Sequence, residues 1–154
     1  MDLSIDGAPA GRLVIKLRDD LAPRTAEAFR GRCTGEGRLS FRGTTFERIV
    51  PGFIVQGGGK PATGYTSKEM QQLSRDYPLD ESFVLPHSAR GVVALATKGD
   101  EGELGPVDGS MPFYVLMAES APHLNGKHVV FGECEQGMKV LTKLEKLAAQ
   151  HATA

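Results

Sequence analysis

The segment Phe46–Glu47–Arg48–Ile49–Val50–Pro51–Gly52–Phe53–Ile54–Val55–Gln56–Gly57–Gly58 constrains the fold more than any other part of the chain. Its β-branched and aromatic residues favour extended backbone, Pro51–Gly52 favours a bend, and the glycines from Gly57 to Gly59 end the run, so the pattern predicts two short strands joined by a turn. Alternation along the second strand puts Ile54 and Gln56 on one face and Phe53 and Val55 on the other, unless a bulge changes the phase. Arg48 and Gln56 stand out in this apolar setting. One reading is a half-buried barrel strand whose arginine reaches into solvent and whose glutamine caps a turn; the other is a functional site.

Strands dominate the rest of the chain. Leu3 and Ile5 alternate with polar residues, Asp6–Gly7 turns, and Leu13, Ile15 and Leu17 alternate again, predicting a hairpin with one buried face. Further strands are expected at Gly91–Ala96 and Phe113–Met117, separated by the acidic, glycine-rich loop Lys98–Ser110. Two helices complete the pattern. The first starts near Pro23, with Ala26, Phe29 and Arg30 at helical spacing, and is weakened by Gly31 and Thr34–Gly35. The second, Met138 through Ala149, carries Val140, Leu141 and Leu144 on one stripe behind Gly137. Many short strands with a helix near each end predict a mainly β fold, an antiparallel barrel capped by two α-helices, as a single domain over residues 1–154.

Composition excludes several function classes. Lys plus Arg (18) nearly balances Asp plus Glu (19), so no overall field draws nucleic acid or an anionic membrane. Cys33 and Cys134 have no metal-ligand spacing and read as reduced thiols of an intracellular, cytoplasmic protein. Neither a membrane-spanning run nor a secretory leader is visible, and no cofactor or metal is expected. His87 and His151 read as surface residues, and Gly57–Gly58–Gly59–Lys60 lacks the rest of a phosphate-binding pattern.

FERIVPGFIVQGG closely resembles the cyclophilin signature F-x-R-I-x-P-x-F-x-x-Q-G-G, and a second family block follows at Asn125–Gly126–Lys127–His128–Val129–Val130–Phe131–Gly132. Asp6–Gly7, Thr25–Phe29, Thr34–Glu36 and Asp80–Phe83 fall in family order, so the resemblance is nearly chain-long. It implies a cyclophilin-like barrel and peptidyl-prolyl cis-trans isomerase activity on proline-containing peptides or proteins. It also implies site residues: Arg48 as the catalytic donor, Gln56 on the substrate backbone, and Phe53, Ile54, Phe113 and Leu124 around the proline ring. His128 falls at the pocket edge, and Ala96 and Thr97 on a strand that pairs with the peptide.

The chain also departs from the family pattern. Gly109–Ser110–Met111–Pro112–Phe113 stands where Gly-Ser-Gln-Phe-Phe is usual, placing Met111 at a substrate-facing amide. His123 stands at a frequent tryptophan that contacts cyclosporin, behind a loop two residues longer, which implies weaker binding of that drug. Residues 60–77 diverge. The final family strand is missing after the last helix, and the first strand is short. Two outcomes follow from the resemblance: a frayed seam, or an open edge near Leu3 and Ile5 covered by a protein partner. An alternative function is therefore a structural or adaptor subunit of a cytoskeletal or other large assembly, with weak or no isomerase activity.

Overall fold

The computed structural model describes residues 1–36, 39–61, 65–74, 84–96 and 109–152. Eight strands appear in chain order: β1 (Asp2–Ile5), β2 (Ala8–Arg12), β3 (Val14–Leu17), β4 (Arg48–Val50), β5 (Ile54–Gly57), β6 (Val92–Leu95), β7 (Phe113–Leu116) and β8 (Val130–Gln136). With them stand α1 (Pro23–Thr34), α2 (Ser67–Leu73) and α3 (Met138–Ala152). β1 and β2 form a two-stranded sheet, and the others form a six-stranded antiparallel sheet in the order β3-β8-β6-β7-β5-β4. The mainly β, helix-capped architecture expected from the sequence is present. No strand follows α3 among the described residues.

The first hairpin closes differently from the sequence expectation. Asp6 (φ 51°) and Gly7 (φ 82°) form a two-residue turn, which fixes Ile5 opposite Ala8 and makes residues 8–12 the partner of β1. The apolar alternation of Leu13, Ile15 and Leu17 serves other contacts. Leu13 is buried and exchanges backbone hydrogen bonds with Met1, while β3 pairs with β8. Tight-turn geometry outweighs matching apolar patterns here.

α1 begins with proline in its first turn and ends on Gly35 in the left-handed conformation, whose N–H donates to Gly31 O at 2.9 Å. It buries Ala26 and Phe29 as expected. Arg30 leaves the apolar stripe, binding Glu27 at 2.7 Å and Glu36 at 2.9 Å in solvent, while Arg32 is buried. α2 was not expected, although its start is written in the sequence. Thr66 accepts from the Glu69 backbone N–H, and the Glu69 carboxylate accepts from Thr66, a reciprocal capping box of T-x-x-E spacing. α3 buries Val140 and Leu141 against the sheet. Among the described residues, no helix is long and apolar enough to cross a membrane.

The middle strands of the six-stranded sheet, β6 and β7, are buried on both faces. The sheet's helix-side face holds Val55, Val93, Leu95, Phe113 and Val115, packed with Phe29 of α1 and Leu141 of α3. Its other face holds Ile54, Val92, Ala94, Tyr114, Leu116 and Val130, covered by Leu85, Ala121 and Leu124 from loops. Such continuous burial is why β6 and β7 read as unbroken apolar runs.

Candidate active site

Strand register brings several of the expected site residues together on the loop-side face. Arg48 stands opposite Gln56, Gln56 opposite Tyr114, Tyr114 opposite Ala94, and Ala94 opposite Val130, so one row of side chains crosses five strands. The neighbouring row is Val50, Ile54 and Leu116. Arg48 is exposed at the open end of the first row, Gln56 is half-buried beside it, and the remaining members are apolar or aromatic and buried.

The turn between β4 and β5 gives this row its upper wall. Phe53 N–H donates to Val50 O at 2.9 Å, and Gly52 takes φ 77°, as a Pro-Gly type II turn requires. The turn returns Phe53 to the loop-side cluster with Ile54, reversing the alternation expected for it. Glu145 of α3 accepts from the Gly52 N–H at 2.6 Å and lies 3.8 Å from Arg90, tying this turn to the last helix.

The two glycines closing the segment are explained by close packing. A Cβ on Gly57 would meet the Phe46 ring at 2.9 Å. One on Gly58 (φ 80°) would meet the Met111 carbonyl oxygen at 2.1 Å, and that backbone also donates Met111 N–H to Gly58 O at 2.9 Å. These contacts dock β5 against the entry to β7.

His123 and Leu124 lie in the 3-10 turn Pro122–Leu124 at the rim. His123 is exposed and stacks on Phe53, with ring centroids 5.8 Å apart and an interplanar angle of 24°. Leu124 packs half-buried against the loop-side cluster. His128 is buried, places its ring edge-on to Tyr114 at 5.6 Å and bonds Leu95 O through Nδ1 at 2.9 Å. A carbonyl oxygen only accepts, so Nδ1 carries the proton. Ala96 is half-buried, and its N–H is donated to Pro112 O at 2.8 Å, so that donor is not available to a bound peptide. Thr97, Asp80–Phe83 and most of the loop after Thr97 lie outside the described residues.

Two expected site residues are elsewhere. Phe113 is 1% exposed on the helix-side face, 5.0 Å from Phe29 and 5.3 Å from Phe41 between ring centroids, and Met111 is wholly buried in the same cluster. Neither touches the row of Arg48. The cause is strand periodicity: a slip of one residue moves every side chain to the opposite face. The residues of β7 on the loop-side face are Tyr114 and Leu116. The signal was available, because the adjacent aromatic pair Phe113–Tyr114 matches the family's Phe-Phe when the block is shifted by one.

His87, expected at the surface, is 1% exposed. Its Nε2 lies 2.6 Å from the Tyr114 hydroxyl and its Nδ1 2.9 Å from Asn125 Oδ1. Burial pushes its pKa below the usual histidine value, with smaller contributions from His128 and His123 in the same direction; the Asn125 hydrogen bond opposes them.

A family model described as cyclophilin type peptidyl-prolyl cis-trans isomerase/CLD matches residues 1–154, the whole chain. The chain belongs to this family. It is accordingly a peptidyl-prolyl cis-trans isomerase that acts on proline-containing peptides. The chemistry of a cyclophilin suits a face with one exposed cation and an apolar bed. Rotation about the X-Pro bond has a barrier of about 18–20 kcal/mol because amide conjugation must be broken, and no covalent intermediate is needed. A surface lowers that barrier by binding the twisted amide better than the planar one, each ~1.4 kcal/mol of difference giving tenfold in rate.

Proposed function

We propose that isomerisation takes place on the loop-side face, with Arg48 as the catalytic group. The observation carrying this reading is the register row Arg48–Gln56–Tyr114–Ala94, which sets a permanent cation beside a polar amide and an apolar bed. The proline ring rests on Tyr114, Ile54 and Leu124, with Phe53 above it and His128 at its edge. Gln56 hydrogen-bonds the substrate backbone. As the amide twists, the prolyl nitrogen regains a lone pair that exists only off the planar ground state, and the Arg48 guanidinium donates to it. Arginine suits the task because it stays charged and its planar fork fixes the direction of donation. Ala96 and Thr97 take part through backbone groups other than the Ala96 N–H, and His123 in place of an indole weakens cyclosporin binding.

The test is two-dimensional exchange NMR on an X-Pro tetrapeptide with catalytic amounts of wild type and Arg48→Ala. Cross-peaks with the wild type that vanish with the variant support this assignment. Equal cross-peaks with both would remove Arg48 from the mechanism.

A protein partner at the barrel edge near Leu3 and Ile5 has its own support. β1 pairs only with β2 among the described residues, and a groove of about 1030 Å³ runs between β1, the 40–46 loop and Ile49 of β4. We propose that an extended segment adds along β1 there, since a free strand edge presents unpaired backbone groups. A monomeric mass by light scattering with strong hydrogen-exchange protection at Leu3–Ile5 would contradict it. An intracellular setting is supported by the two unpaired thiols, Cys33 and Cys134.

A further inference from the structure

Beneath the pocket, one buried side chain joins elements far apart in sequence. His87 N–H donates to Asn125 Oδ1 at 2.7 Å, and His87 O accepts from Ala121 N–H at 3.0 Å. The ring adds the bonds to Asn125 Oδ1 and the Tyr114 hydroxyl and stacks on the tyrosine, with centroids 5.9 Å apart at 19°. These contacts fix the protons. The backbone N–H of His87 requires an oxygen at Asn125 Oδ1, an amide oxygen only accepts, and so Nδ1 carries the hydrogen. Nε2 is therefore the acceptor, and the Tyr114 O–H donates to it. The sequence Asn125–His87–Tyr114 forms one directed chain in which each of these groups has a single role.

The elements it joins are the two sides of the pocket. Tyr114 belongs to the floor. Ala121 and Asn125 bracket the 3-10 turn that carries His123 and Leu124, the rim that stacks on Phe53.

We propose that His87 is a positioning residue of the pocket: by hydrogen-bonding the floor at Tyr114 and both ends of the 121–125 turn, it sets the spacing of His123 and Leu124 over the substrate ring. His87 does not touch the peptide. This inference rests on the assignment of the loop-side face as the active site, and its effect falls on binding more than on the rotation step that Arg48 serves.

The test compares wild type with Tyr114→Phe, which removes one oxygen and keeps the ring, and with His87→Leu. Two quantities are read: the Leu124 methyl and His123 ring resonances of the ligand-free proteins, and KM and kcat for an Ala-Ala-Pro-Phe peptide. Tyr114→Phe is expected to shift both sets of resonances and raise KM about three- to tenfold, the range of one buried hydrogen bond, with kcat within about twofold. His87→Leu is expected to exceed it in both. Unmoved resonances in Tyr114→Phe, or moved resonances with unchanged KM, overturn the proposal. If His87→Leu does not fold, Tyr114→Phe decides alone. A wild type that neither binds nor turns over the peptide overturns the active-site assignment instead, and the ligand-free resonances still decide whether His87 couples rim to floor.

Discussion

Phe113 and Tyr114 are consecutive on β7 and meet opposite surroundings. Phe113 is enclosed by the rings of Phe29, Phe41 and Phe46 on the helix-side face. Tyr114 faces His87 and His128 and shares a row with Gln56 and Arg48. The same strands thus supply a packed apolar core on one side and a face with polar members on the other, and the period of two that separates them is the whole difference. A strand buried on both faces can carry chemistry on only one without mixing stability with function. The helix-side face gains from tight, specific packing, while the loop-side face keeps polar groups that each need a partner.

The contrast predicts different losses from neighbouring substitutions. The largest concerns the core. Phe113→Ala should lower unfolding free energy by about 3–5 kcal/mol, measured by urea denaturation, while the fraction still folded retains its turnover. Arg48→Ala should do the reverse. A loss of 10²–10³ in kcat/KM, or about 2.7–4 kcal/mol of transition-state stabilisation, is expected with a stability change within about 0.5 kcal/mol. A loss below about threefold would show that this row is not where the reaction is driven.

Glu145→Ala links the two faces. It frees the exposed Gly52 N–H to water and removes the carboxylate near Arg90, so about 0.5–1.5 kcal/mol of stability should be lost. A few-fold fall in turnover should accompany it as the turn beside Phe53 loosens, and unchanged turnover would mean that the turn holds its shape without α3. The smallest effect is pH-dependent. The folded-state pKa of His87 is depressed, so its contribution is fully present above the unfolded value near ~6.5 and is lost as pH falls through the folded pKa. Urea midpoints between neutral and mildly acidic pH should therefore fall more for wild type than for His87→Gln. Equal slopes would assign the acid sensitivity to other groups.

Much of this arrangement was legible in the sequence. The Pro51–Gly52 turn, the glycine pair after Gln56, the strands at 92–95 and 113–116 and both long helices follow from local signals that tertiary packing does not override. The first hairpin was misread because apolar alternation was given more weight than the two-residue turn at Asp6–Gly7, which alone sets the register. α2 was missed although Thr66 and Glu69 carry a capping box, because the segment has little apolar periodicity to draw attention. In the candidate site, the shared face of Arg48, Gln56 and Ile54 was readable because one continuous motif fixes their phase. The helix-side burial of Phe113 and Met111 was not readable, because nothing local fixes phase across the Pro112 boundary and a shift of one residue is a change of face. His87 and Asn125 could not be read at all. Their importance comes from being brought to Tyr114 by the fold, and a lone histidine before a strand has no pattern that announces a buried partner.

The most direct test of the central claim is where a bound proline ring lies. Intermolecular NOEs from the ring protons of a bound X-Pro peptide should reach the Tyr114 ring and the Ile54 and Leu124 methyls, with none to Phe113. NOEs to Phe113 in a folded protein, with none to Tyr114, would put the reaction on the other face of the sheet and contradict the account.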